Sequence, residues 1–197
     1  MFNKVQLLLS LNESQNLDGL VDLLVEEGQA ARRLLPEGSR HRRAARVPDD
    51  PTAVVPQDGQ TVMATAPPSF DAFFELGGED LRFETLVAAV AGSGGRLQPF
   101  VDPARSAALV GSEHVIIPGS QRLLLVMALR RLPVLSPEKF HNFWLNEHAV
   151  EVSRSVPDLQ GYRQFHADEG ATRAAATAAG LAIHDLDGTA EGYYQDI

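Results

Sequence analysis

Two histidines and a tryptophan on one predicted helix are the residues best suited to chemistry in this chain. His141 and His148 are seven positions apart, and Trp144, the only tryptophan, lies between them. At 3.6 residues per turn, all three fall in one apolar stripe roughly 60° wide. Imidazole titrates near neutral pH and suits acid–base work, so the pattern predicts a histidine site with His148 as principal acid/base and Trp144 as a pocket wall. The alternative is that each is a core histidine bonded to a backbone carbonyl.

The strand predicted to follow this helix supplies a second set of polar groups. Its residues Tyr162, Gln164 and His166 alternate and therefore share one face. We expect this face to meet the helix, so that Tyr162 and His166 join the histidines in one cavity and orient or donate. If it is the outer face, the same residues lie on the surface or between the two halves of the chain.

A later strand adds a carboxylate and two tyrosines. Glu191 and Tyr193 share one face of this strand, and Tyr194 lies on the other. A carboxylate that faces a cavity can act as a general base or orient a histidine. Glu75 occupies the corresponding place earlier in the chain, which favours a shared structural role instead.

Composition excludes several classes of protein. The chain has no cysteine, which removes disulfides, thiolate zinc sites and a cysteine nucleophile. Its net charge of −9 argues against a nucleic-acid partner. His141 and His148 are too far apart for the usual i, i+4 metal pair, so we expect neither a metal nor a cofactor. The apolar runs are too short to span a membrane, and the start of the chain lacks a signal peptide, so we expect a cytoplasmic protein.

The first part of the chain predicts the order βαββαβ, which is the ferredoxin-like plan. A long loop rich in proline is predicted over residues 48–68, and residues 92–95 are predicted to stop the second helix. The predicted strands are residues 4–11, 40–47, 70–76 and 105–117, and the predicted helices are residues 17–35 and 80–91.

The same order begins again after Gly119. The predicted elements are a strand at residues 122–130, a helix at 136–155 capped by Ser136 and ended by Pro157, a strand at 159–167, an alanine-rich connection at 168–181 that could form a short helix, and a strand within 182–194. Residues 71–75 can be laid without gaps on residues 187–191, and Asp80 and Asp196 then follow at equal offsets. The sequence therefore predicts an α+β pseudo-dimeric barrel of two ferredoxin-like repeats. Residues 1–119 would form a complete, chemically plain repeat and residues 120–197 a second one.

The second predicted repeat stops after its third strand. A strand without its neighbour leaves an exposed sheet edge, which proteins seldom leave bare. By the repeat, we expect the natural polypeptide to continue for roughly 35–40 residues. The alternative is a true truncation, with a partner chain that covers the gap.

Several segments together resemble the EthD family. They are residues 140–148, residues 157–162, His166 and residues 187–191, joined by residues 100–105 with Glu113 and His114. The resemblance implies a dimeric α/β barrel in which two ferredoxin-like sheets face each other, here within one chain. It also implies that Trp144, Phe143, Glu191, Tyr193 and Tyr194 lie near a bound substrate.

The resemblance, taken with the histidines, leads to a functional expectation. We expect a cofactor-independent lyase, such as a dehydratase, acting on a hydrophobic aromatic or polyketide-like small molecule. His148 would be the principal acid/base, with His141, Tyr162 and His166 assisting. The alternatives are a cofactor-free monooxygenase or isomerase of aromatic catabolism, and a non-catalytic small-molecule-binding accessory protein. We also expect that two such pseudo-dimeric chains can form a homodimer.

Overall fold

A computed structural model describes residues 1–12, 15–47, 70–156 and 158–195. The loop predicted at residues 48–68, the helix end predicted at Pro157 and the repeat match at Asp196 lie outside the described residues. No helix in the described part of the chain is long and apolar enough to cross a membrane.

Seven strands form one antiparallel sheet in the order β2-β3-β1-β4-β6-β7-β5. The first four strands show the ferredoxin-like order, and β6-β7-β5 repeats its first three members. The strands are β1 (Phe2–Leu9), β2 (Arg40–Ala45), β3 (Ala72–Glu79), β4 (Ala107–Ile117), β5 (Leu123–Leu129), β6 (Gly161–Ala167) and β7 (Gly188–Tyr194).

The helices cover one face of this sheet. Apolar side chains of α1, such as Leu20 and Leu24, pack with Val5 and Leu7 of β1 in the larger core. The helices are α1 (Leu17–Arg32), α2 (Phe83–Ala89), α3 (Ser93–Leu97), α4 (Pro137–Phe143), α5 (Ala149–Ser155) and α6 (Glu169–Ala179), with a π-helical segment (Trp144–His148) joining α4 to α5.

The sheet curls strongly, so its other face is concave. The Arg42 guanidinium of β2 lies 2.5 Å from the Glu191 carboxylate of β7, although four strands separate β2 from β7 in the sheet. Leu8, Phe73 and Leu109 fill the apolar part of this concave face. The predicted α+β architecture with a curled sheet is therefore present.

Two details of the predicted elements need correction. The helix at residues 136–155 has the predicted Ser136 cap but changes to π-helical winding in its middle. Residues 92–95 do not simply stop a helix, because Gly92 takes the left-handed conformation (φ 70°) and α3 begins directly after it. The connection at residues 168–181 does contain a short helix, α6, and Asp168 caps it by accepting the Ala171 amide.

A repeated hydrogen bond marks the duplication. The Asp71 carboxylate accepts the Leu11 amide at 2.8 Å, and the Asp187 carboxylate accepts the Arg131 amide at 2.6 Å. Leu9 pairs with Ala72 as Leu129 pairs with Gly188, which makes β1 and β5 structural mates. By this register the residue of β5 that corresponds to Lys4 of β1 is Leu124.

Candidate functional site

Three imidazoles and the indole gather where α4 and the π-helical segment pack on the sheet. We call His114, His141, Trp144 and His166 the histidine cluster. The His166 ring lies at the centre, with centroids 4.4 Å from His114, 4.5 Å from His141 and 4.6 Å from Trp144. His166 and Trp144 are buried, whereas His114 and His141 are half-buried. The cluster thus has a closed centre and a solvent-facing side.

Strand alternation explains how β4 and β6 bring these rings together. Ser112 pairs with His166 and His114 with Gln164, so His114 and His166 project from the same face. That face is the one that meets the helix, as predicted for Tyr162, Gln164 and His166. Alternation alone does not assign the face of His114, because the first part of β4, residues 107–111, is buried on both faces.

Buried hydrogen bonds hold the cluster. The Gln164 side-chain amide donates to the Trp144 carbonyl at 2.8 Å, and its oxygen lies 3.1 Å from His166 Nε2. The Trp144 indole N–H donates to the Tyr162 hydroxyl at 3.4 Å. Because the Gln164 oxygen can only accept, His166 carries its proton on Nε2 and leaves Nδ1 as an acceptor.

His141 is tied to the backbone. Its Nε2 lies 3.0 Å from the Asp187 carbonyl, which fixes the proton on Nε2 because a carbonyl can only accept. This is the contact that the alternative of a core histidine bonded to a carbonyl predicted. The same tautomer leaves Nδ1 with a lone pair, and the half-buried position keeps this histidine near solvent.

The electrostatics of the cluster keep its centre neutral. Burial, followed by the proximity of His114 and His141, lowers the pKa of His166 to about 3. Burial, followed by the proximity of His141, also lowers the pKa of His114, while Glu113 opposes the change. At neutral pH, His166 is therefore an uncharged hydrogen-bonding ring rather than a proton donor.

Two predicted site residues lie apart from this cluster. An α-helical wheel puts His148 beside Trp144, but the π-helical winding gives that place to Ala149, whose amide donates to the Trp144 carbonyl. Ala149 is buried and His148 is half-buried, and no ring contact joins His148 to the cluster among the described residues. Phe143 is 48% exposed and lies on the solvent side of α4.

The structure separates Glu191 and Tyr193 from the histidines by the thickness of the sheet. Glu191 pairs with Arg163, so both face the concave side, while Tyr162 and His166 face the helices. Tyr194 is half-buried on the helix side. The single cavity that was predicted to hold all these residues is therefore divided between two faces.

The concave face carries a charge network instead. Lys4 Nζ, fully buried, lies 2.9 Å from Glu75, 2.5 Å from Glu113 and 2.6 Å from Glu191. Arg42 lies 2.8 Å from Glu75 and Arg163 lies 3.6 Å from Glu113, so three cations balance the three carboxylates. The first repeat is thus not chemically plain, as it supplies the buried lysine, Arg42 and two of the acids.

Charge compensation explains the protonation states in this network. Burial by itself lowers the pKa of Lys4, but Glu75, Glu191 and Glu113 more than offset it and raise the pKa above its usual value. Burial by itself raises the pKa of Glu191, and Lys4 followed by Arg42 reverse this and lower it. One oxygen from each carboxylate lies within 4.8 Å of the others, a spacing that suits a metal ion, but the Lys4 ammonium is bonded to all three.

A cleft of ≈ 230 Å³ lies one helical turn from the cluster, at the start of α4. Pro137, Arg131 and Asp187 line it, and Asp187 is also the residue whose carbonyl binds His141. An open groove of ≈ 380 Å³ runs on the other side, between α5 and β4. The cleft adjoins the cluster through Asp187 and the groove through Val115, although none of the four cluster side chains lines either one among the described residues.

Comparison with known proteins supports the fold and leaves the activity open. A solved structure described as "Putative Chlorite dismutase" matches with a TM-score of 0.53 and 10% sequence identity, over 100% of this chain and 80% of that one. At this identity the match shows the fold alone, and that fold agrees with the duplicated ferredoxin-like arrangement of the strands. No family model and no curated protein matches, so membership of the EthD family is not confirmed.

Proposed function

We propose that the histidine cluster is an acid–base site and that the chain is a cofactor-independent lyase, such as a dehydratase, for a small aromatic or polyketide-like molecule. The observation that carries the proposal is the clustering of His114, His141 and Trp144 around the neutral His166 ring. An aromatic molecule is favoured because the rings present flat aromatic surface on which it can stack. The EthD-like residues of the second half support the same proposal.

His141 is the proposed principal acid/base, in place of His148. Its Nε2–H is held by the Asp187 carbonyl, so Nδ1 is the atom that accepts a proton. In a dehydration, Nδ1 would remove a proton from a carbon beside a carbonyl. The electron pair would form the new double bond as the neighbouring hydroxyl departs with that same proton as water, which regenerates His141. His166 would orient the substrate by hydrogen bonding at Nδ1, and Trp144 and Tyr162 would support the wall.

A second candidate is a small-molecule-binding protein without catalysis. The observation that favours it is that the Nε2 positions of His141 and His166 are both matched to internal oxygens, as in a structural core. In that case the cluster would hold an aromatic ligand by stacking, and no proton would move.

The test uses the aldol adduct of benzaldehyde and acetone, which gains a conjugated absorbance when it loses water. We expect turnover by the full chain, strong loss in His141→Gln and little change in His148→Gln. Quenching of Trp144 fluorescence by the adduct reports binding separately, because Trp144 is the only tryptophan. Binding without turnover would favour the second candidate, and loss of turnover in His148→Gln alone would contradict the role given to His141.

A further inference from the structure

Two strands of the curled sheet have a neighbour on one side only. β5 pairs with β7 and β2 with β3, and no other strand in the described part of the chain lies beside them. The contact between Arg42 and Glu191 shows that the curl brings the two edges toward each other across the concave face. Between them lies an open seam, which we define as the free edges of β2 and β5.

The duplication tells what kind of element fits this seam. In the duplication, β1 corresponds to β5 and β6 corresponds to β2. Both β1 and β6 pair with β4, which lies between them in the sheet. One strand antiparallel to both edges would therefore occupy the seam as β4 occupies its own place.

The free backbone groups of both edges can be assigned. The Asp187 amide donates to the Leu129 carbonyl, so alternate residues Leu124, Val126 and Ala128 direct N–H and C=O toward the seam. The Arg46 amide donates to the Asp71 carbonyl, so His41, Arg43 and Ala45 do the same from β2. The seam thus offers two ladders of backbone groups that pair with no other strand among the described residues.

Charge around the seam selects its occupant. β2 carries Arg40, Arg42 and Arg43, and exposed Arg122 and Arg130 flank β5, although the chain as a whole has a net charge of −9. Arg163 of β6 occupies the position that corresponds to Arg42 of β2. It lies 3.6 Å from Glu113 of β4. An acidic side chain is therefore the expected neighbour of Arg42 on a strand in the seam.

We propose that the seam is a docking site for an extended acidic segment of a partner protein, added as an eighth strand between β5 and β2. Backbone pairing would provide affinity, and the arginines would select acidic over basic sequences. This proposal is independent of the acid–base site, which lies on the opposite face of the sheet.

The probe is a fluorescein-labelled peptide of about eight residues, the usual strand length, with alternating glutamate and valine. We expect it to bind the full chain by fluorescence anisotropy and to slow hydrogen exchange at the Val126 and Arg43 amides. The matching peptide of alternating lysine and valine should bind at least about tenfold more weakly. Equal binding of both peptides, or protection elsewhere in the sheet, would overturn the proposal.

Two variants test the seam directly. Val126→Pro removes an N–H that faces the seam and makes no bond to β7, so the fold should persist while peptide binding is lost. Arg43→Glu should weaken binding about tenfold, whereas Arg173→Glu, the same charge change on exposed α6, should not.

Other occupants predict different results for the chain alone. A dimer that Val126→Pro converts to a monomer would show that a second copy fills the seam. A monomer whose Val126 and Arg43 amides are already protected would show that the chain covers its own edges. Either result would overturn docking of a partner segment.

Discussion

The Trp144 indole and the His166 imidazole stack with their ring centroids 4.6 Å apart and their planes 13° from parallel. Gln164 joins the two residues, because its amide donates to the Trp144 carbonyl and its oxygen faces His166 Nε2. The stack couples the sheet to the π-helical segment. It also keeps an imidazole where a charge would be poorly solvated.

His166 makes stability depend on pH in a defined window. Its pKa is about 3 in the folded chain, against 6.5 for an unperturbed histidine, so the unfolded chain binds a proton first as pH falls. The free energy of unfolding should therefore decrease as the pH falls from about 6.5 to about 3. Below about pH 3, His166 is protonated in both states and should cause no further decrease. In His166→Phe this part of the decrease should be absent.

Urea denaturation at about pH 7 and about pH 4 measures the effect as a difference. His166→Phe also leaves the Gln164 oxygen without a donor, which costs about 1–3 kcal/mol. That cost is the same at both pH values, so it cancels when the change in stability between them is compared for the two proteins. An equal loss of stability on acidification in both proteins would contradict a neutral, buried His166.

The histidine cluster shows where sequence patterns suffice. The two-residue period of β6 predicts that Tyr162, Gln164 and His166 share one face, since successive side chains of a strand must alternate. The period does not show which face meets the helix, and only the packing of the structure decides this. The position of His148 is wrong on the wheel because the π-helical segment adds a residue to one turn, and helical periodicity gives no sign of it. His114 enters the cluster from β4, whose first five residues are buried on both faces, so their pattern does not show which face meets the helices.

The charge network shows where sequence patterns cannot suffice. Lys4 and Glu191 are 187 positions apart and meet only because the sheet curls. A lysine and a glutamate in separate strands look like ordinary exposed residues until the pairing of the strands is known. The match of Glu75 with Glu191 did indicate a shared structural role, and both carboxylates contact Lys4 and Arg42.

Replacing Lys4 should be strongly destabilising. Lys4→Met fills similar space but leaves the Glu75, Glu113 and Glu191 carboxylates without their shared cation. Breaking a buried ion pair from one side costs about 3–5 kcal/mol, because the remaining charge is uncompensated. Urea denaturation near neutral pH would measure the loss.

The matched comparison is Arg173→Met, which removes a cation from an exposed pair with Glu169 and should change stability by about 0–1 kcal/mol. Similar effects of the two substitutions would show that the network on the concave face is solvated rather than buried.

Gly188 permits β7 to approach β6 beside the indole. Its φ is 152°, and a Cβ built there would lie 1.9 Å from the Phe165 carbonyl oxygen and 3.1 Å from Trp144. Gly188→Ala must therefore displace backbone, with an expected loss of roughly 3–5 kcal/mol. A loss below 1 kcal/mol in urea denaturation, on the order of an ordinary surface change, would contradict this packing.

Gly95 provides the opposite case. It lies in α3, and a Cβ there would meet no atom within 4 Å. Gly95→Ala should raise the free energy of unfolding by about 0.4–1 kcal/mol, because it reduces the freedom of the unfolded chain without strain in the folded one. The two variants thus distinguish a position that sterically requires glycine, Gly188, from one that accepts a larger residue, Gly95.

Glu191 should govern the acid limit of the fold. Lys4 and Arg42 hold its pKa below the usual 4.5, despite the opposing effect of burial. The stabilisation from its charge is therefore complete above about pH 4.5 and is lost as pH falls through the lower pKa of the folded chain.

Glu191→Gln keeps an oxygen that can accept from the Tyr193 hydroxyl but removes the charge. This variant should be less stable than the parent near neutral pH, and the gap should narrow as the pH falls below about 4.5. Thermal unfolding followed across that range would reveal the convergence, and a constant gap would mean that Glu191 is not ionised against Lys4 in the folded chain.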